Sequence, residues 1–141
     1  MANMTKKPSK LFSDFSIDDH RFVRGDTYWN AETLIEASKG LTVFDLPTAG
    51  IDIGVWPWDE ERTIRSFSDH LSRCLELDPK FPVILDEYGY ICDGWHRLST
   101  AIARGVKSIK AVRLVKMPEP DGHTKELDDE YTIAEYENES E

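Results

Sequence analysis

Residues 82–105 read PVILDEYGYICDGWHRLSTAIARG, and their order decides the fold. Two short apolar runs, around Val83-Ile84-Leu85 and Ile91-Cys92, flank a link that holds Gly89, which is the pattern of a β-hairpin. The second run passes through Asp93-Gly94 into a stretch where Leu98, Ala101 and Ile102 recur at helical spacing. Gly105 supplies a left-handed stop, so a helix over about Trp95 to Arg104 is expected. A junction this tight between a buried strand and a helix start leaves the opening backbone N–H groups without an intrahelical acceptor. Such a junction attracts anions.

The elements on either side extend the same scheme. Ser108 to Val115 reads as a closing strand. Upstream, Ile64, Phe67, Leu71, Cys74 and Leu75 recur at three- and four-residue steps, which predicts a helix over Glu60 to Leu77 with those residues inward and Asp78-Pro79 as its stop. Asn30 caps a shorter predicted helix, Ala31 to Lys39, ended by Gly40. Leu41 to Leu46 and Ile51 to Val55 read as extended pieces separated by Pro47 and Gly50. The expected class is α+β: a small mixed sheet with about three helices.

A chain of 141 residues, 40% apolar and 11% aromatic, carries enough material for one core and excludes a two-domain enzyme. The expected division is a flexible arm at 1–12, a domain at 13–118 and an acidic tail at 119–141. The formal net charge of −10 belongs to that tail. Residues 119–141 hold ten carboxylates against Lys125, while 97–116 hold Arg97, Arg104, Lys107, Lys110, Arg113 and Lys116 with no acid. A nucleic acid or other phosphate-bearing partner for that basic stretch stays open beside a plain solvated face. Nothing approaches the length of a membrane span and no apolar block follows the first lysines, so a soluble, cytoplasmic protein is expected. Cys74 and Cys92 lack zinc-site spacing and read as small core residues.

The chemistry concentrates at Asp93-Gly94-Trp95-His96-Arg97. Gly94 permits close backbone approach, while Arg97 and protonated His96 can donate charge-assisted hydrogen bonds from the first helical turn. Ser99 and Thr100 add hydroxyls one turn on. Asp93 is the candidate for a catalytic role, because a carboxylate beside a phosphate repels it unless it holds a metal or takes a proton. The plain alternative is an N-cap followed by surface residues. Asp52, Asp59 and Glu61 are further metal candidates, with no spacing that selects among them. Trp56 and Trp58 read as an apolar plug before a base-stacking pair, His70 as a hydrogen-bonded boundary residue, and Asp86 and Glu87 as turn residues.

The stretch Pro82 to Val115, and its Asp-Gly-x-His-Arg turn above all, resembles the nucleotide-binding half of the ParB/sulfiredoxin superfamily. Thr42 to Leu77 is more weakly similar to that family's preceding strand and helix. The resemblance implies a nucleoside triphosphate as ligand, often with a divalent cation such as Mg²⁺, and Gly94, His96 and Arg97 as phosphate contacts. It also implies hydrolysis or transfer of a nucleotide phosphate. Trp95 stands where sulfiredoxins carry their reactive cysteine, and the chain shows neither the upstream Glu-Asn-x-x-Arg segment nor the helix-turn-helix domain of ParB partition proteins. The competing class is a non-enzymatic phage or plasmid accessory regulator that binds protein or nucleic acid. Oligomeric state is not legible.

Overall fold

The computed structural model describes residues 21–58, 60–78 and 80–127. The arm at 1–12, Asp59 and the acidic residues 128–141 lie outside them.

Two sheets carry the architecture. The four-stranded sheet has β3 (Phe44–Pro47), β4 (Val83–Leu85), β5 (Ile91–Asp93) and β6 (Ser108–Arg113), in the order β3-β6-β4-β5. β4 and β5 form the expected hairpin, β6 runs parallel to β4, and β3 runs antiparallel to β6 with Phe44 opposite Ala111. Between β5 and β6 the chain crosses over through helix α3 (Trp95–Ala103). Helix α2 (Ile64–Glu76) packs on α3.

The strand period of two sorts the core onto both faces of this sheet. On one face Val83, Leu85, Ile91 and Ala111 pack with Leu98 of α3. On the other, Ile84, Cys92, Val112 and Leu114 pack with Trp29 and Leu34. All three β4 residues are buried, as expected of a strand covered on both sides.

Trp29 and Leu34 arrive on elements that precede β3. A hairpin of β1 (Arg21–Arg24) and β2 (Thr27–Asn30) pairs Phe22 with Trp29 around Gly25-Asp26, and helix α1 (Ala31–Ser38) follows at once. The sequence pattern gave the helix but not the hairpin. The second sheet is completed by β7 (Gly122–His123), whose Gly122 pairs with Tyr28. Asp121 accepts from the backbone N–H of Asn30 at 2.7 Å and from Thr33 Oγ1 at 2.9 Å, and the Trp29 indole donates to the Pro118 carbonyl at 2.8 Å. Pro118 and Asp121, on either side of the charge-based boundary at 118/119, are thus both hydrogen-bonded to the β2–α1 segment.

Three expectations need correction. Ile51 to Val55 forms no strand; Thr48–Gly50 is a short 3-10 helix and the following residues are irregular. The apolar stripe of α2 does not face inward. Ile64, Phe67, Leu71 and Leu75 are 83%, 54%, 47% and 76% exposed, whereas Ser66 and His70 are buried. The helix starts at Ile64 rather than Glu60, because Thr63 and Ser66 form a capping box: Thr63 Oγ1 accepts from the Ser66 N–H at 3.1 Å, and the Thr63 N–H donates to Ser66 Oγ at 2.9 Å. That box fixes the phase that turns Ser66 and His70, four residues apart, toward the body.

Candidate functional site

The Asp93–Arg97 turn behaves as a junction of strand and helix, and its residues part company there. Gly94 is the N-cap of α3 at φ +112°, a conformation that side chains disfavour. A Cβ added to it would stand 3.0 Å from Val83 Cγ2 and 3.1 Å from both Val83 Cα and Arg97 Nη2, so the helix start lies hard against β4. Leu98 makes the first intrahelical bond, to the Gly94 carbonyl, and the cap offers no side chain to the amides before it.

Asp93, Gly94, Trp95 and His96 form one wall of a cleft of about 750 Å³, faced by Arg21 and Phe22 of β1, by Glu60, and by His70 and Arg73 of α2. Arg97 is not among its walls. Its guanidinium turns back to Asp93 Oδ2 at 2.9 Å and to the Pro82 carbonyl at 3.2 Å. Ser99 and Thr100 donate to the carbonyls of Trp95 and His96, each at 2.8 Å, and line a second cavity of about 540 Å³ beside the apolar α2 residues. Of the six residues singled out from the sequence, the structure therefore brings Asp93, Gly94 and His96 to the cleft, sends Ser99 and Thr100 to its apolar neighbour, and gives Arg97 an ion pair.

The sequence reading missed what α2 and the preceding loop contribute. His70 Nδ1 lies 2.7 Å from His96 Nε2, and His70 Nε2 is hydrogen-bonded to the Glu60 carboxylate. Both rings are buried. Trp58 stacks on His70 at a centroid distance of 3.7 Å and on His96 at 5.0 Å, and Trp56 meets Trp58 edge-on at 5.1 Å. The Trp-Pro-Trp segment is thus a lid over two histidines as much as a plug over apolar core. The available cue was the Ser66/His70 pair opposite the α2 apolar stripe, a polar helix face set toward a polar cleft. Cys74 Sγ donates to the His96 carbonyl at 3.5 Å and helps to hold α2 against α3.

Among the described residues no group of three or more His, Cys, Asp or Glu side chains is arranged to hold a metal ion. Asp93 Oδ2 is engaged by Arg97, Asp52 Oδ1 accepts from the Gly54 N–H in a local turn, and Glu61 meets α2 through its carbonyl, which accepts from Ser66. A hard cation of the Mg²⁺ type requires several oxygens at once, and these carboxylates do not converge. Burial, with Asp93 and Asp86 adding negative charge nearby, pushes the Cys92 thiol up to about 12. Cys92 is a core residue without nucleophilic character. Asp86 is more than a turn residue: at 1% exposure it accepts from the N–H groups of Tyr88 and Tyr90 and from Arg24 Nη2 at 2.8 Å.

The basic stretch is partly consumed by the fold. Lys110 pairs with Asp45 at 2.6 Å, Arg113 donates to the Glu87 carbonyl at 3.1 Å, and Arg97 is held by Asp93. Arg104, Lys107 and Lys116 are exposed. No helix among the described residues is long and apolar enough to cross a membrane. No family model, curated protein or solved structure matches the chain.

Proposed function

We propose that the cleft at the start of α3 binds the phosphate group of a small molecule of the nucleotide class. The observation that carries this reading is that the turn with uncapped opening amides, Gly94-Trp95-His96, is itself the wall of a 750 Å³ cleft that Arg21 and Arg73 also line. Helix-opening amides, a positive dipole end and basic side chains on one concavity suit a phosphate. The adjoining apolar cavity shares Pro57, Trp58, His70 and Trp95 with the cleft and offers aromatic surface for a base. The likeness of the Asp-Gly-x-His-Arg turn to the ParB/sulfiredoxin superfamily supports the same ligand class. Hydrolysis or transfer of the phosphate, with or without Mg²⁺, is the enzymatic extension of this reading, and Asp93 and His96 are the cleft residues that would serve it.

A thermal-shift series with nucleoside mono-, di- and triphosphates, each with and without Mg²⁺, tests the proposal. A ligand at 100 times its dissociation constant stabilises the fold by about 2.7 kcal/mol. No shift with any of them, or with inorganic phosphate, overturns it.

A further inference from the structure

The Glu60–His70–His96 chain constrains where hydrogens sit. A carboxylate accepts and does not donate, so His70 carries its hydrogen on Nε2, toward Glu60. The neutral His70 ring then presents a lone pair at Nδ1. One hydrogen must occupy the 2.7 Å contact, and it belongs to His96 Nε2. Uptake of one proton leaves this arrangement intact, whether the charge rests on His96 or the bridging hydrogen passes to His70 and the imidazolium lies against Glu60. Uptake of a second would put a hydrogen on each of the facing nitrogens, which the contact does not admit. The pair therefore carries a charge of zero or one.

We propose that this pair is a proton-coupled anion site: the cleft takes up a phosphate-class dianion together with one proton, held jointly by His70 and His96. This rests on the anion-binding reading above and adds the identity of the co-bound species. Both rings are walls of the cleft, so a dianion there stabilises their added charge at close range. Trp58, stacked on both, presents a π-face to the same charge. The other titratable or charged groups around the cleft among the described residues are Arg21 from β1, Glu60, Arg73 from α2, and Cys92 and Asp93 from β5, with Cys74 of α2 bonded to the His96 backbone. Arg21 and Arg73 carry fixed charge, Asp93 is paired with Arg97 and Cys92 stays a thiol, so the hydrogen-bonded histidine pair is the group in this set with a ring nitrogen to take up the proton.

The test is calorimetric titration of the full chain with sulfate, which remains a dianion across the working range, and in parallel with inorganic phosphate. Buffers of different ionisation enthalpy read the protons exchanged. Uptake should approach one proton per bound sulfate on the alkaline side of the pair's titration, with affinity falling about tenfold per pH unit there. Glu60→Gln removes the carboxylate that holds the charge, and the fall in affinity should then begin at lower pH. Ring-nitrogen NMR of the unliganded protein should show both neutral rings with hydrogen on Nε2 and a shared single-proton titration. Sulfate binding without proton uptake at any pH overturns the coupling and leaves the anion site standing. A neutral His96 with its hydrogen on Nδ1 overturns the donor order. Failure of both sulfate and phosphate to bind overturns coupling and anion site together.

Discussion

Arg97 and Asp93 close an ion pair at 2.9 Å across the first turn of α3, and both side chains are mostly buried, at 19% and 12% exposed. The pair ties the end of β5 to the helix that follows it, and Arg97 adds a bond to the Pro82 carbonyl. The guanidinium is thereby a fastening of the junction, and the cleft lies to its other side.

Arg97→Ala should consequently act first on stability. It leaves the Asp93 carboxylate without its charged donor in a setting that water reaches poorly, a loss of about 1–3 kcal/mol. Urea unfolding of the variant measures this. An unchanged midpoint together with lost anion binding would instead return Arg97 to the cleft.

Gly94→Ala tests the same junction from the backbone. The residue sits at φ +112° with Val83 and Arg97 at 3.0–3.1 Å from any Cβ, so strain and collision add, and the expected loss is about 2–4 kcal/mol. Gly89 is the control. Its φ of +93° is equally unfavourable, but nothing stands within 4 Å of an added Cβ. Gly89→Ala should cost only about 1 kcal/mol. Thermal melting of the two variants side by side reads the difference, and equal losses would show that contact with β4 contributes nothing.

What the sequence discloses follows range. The β4–β5 hairpin, α3 and β6 are legible because their apolar runs are bounded by Gly89, Gly94 and Gly105, all at positive φ. The β1–β2 hairpin had a turn signal at Gly25-Asp26 but only four residues a side, and its pairing with β7, Tyr28 with Gly122, spans most of the chain. The site divides the same way. Asp93, Gly94 and His96 are near neighbours in sequence, whereas His70 reaches His96 through the packing of α2 on α3 and brings Glu60 with it, a partnership that the polar Ser66/His70 face hints at but does not locate.

Cys92 gives a pH prediction with a definite sign. Burial raises its thiol from an ordinary 9.0 to about 12 in the folded protein, so the folded state keeps a proton that the unfolded chain gives up. The associated stability is present in full below about pH 9 and is lost as pH climbs towards 12. Cys92→Ala should flatten that alkaline decline in urea midpoints. In the folded protein at pH 8, Cys92 should resist alkylation that denaturant permits, as mass spectrometry of the modified peptide would report.

The exposed stripe of α2 yields the last prediction. A helix with apolar residues at 64, 67, 71 and 75 announces two faces, yet the pattern does not say which one the body takes. Here the Thr63–Ser66 capping box and the His70–His96 bond set the phase, and Leu75 is left 76% exposed while Leu98 of α3 is 1% exposed. Leu75→Ser should therefore change the unfolding free energy by no more than about 0.5 kcal/mol. Leu98→Ala opens space between α3 and the sheet and should cost about 2–5 kcal/mol. His70→Leu supplies the contrast on α2 itself: it places an apolar residue on the inward face, yet it should destabilise, because Glu60 and His96 each lose the hydrogen bond to the His70 ring. Denaturant titration of the three variants orders them as Leu75→Ser, then the two inward substitutions. A Leu75→Ser loss as large as that of Leu98→Ala would mean that this face of α2 is covered in solution.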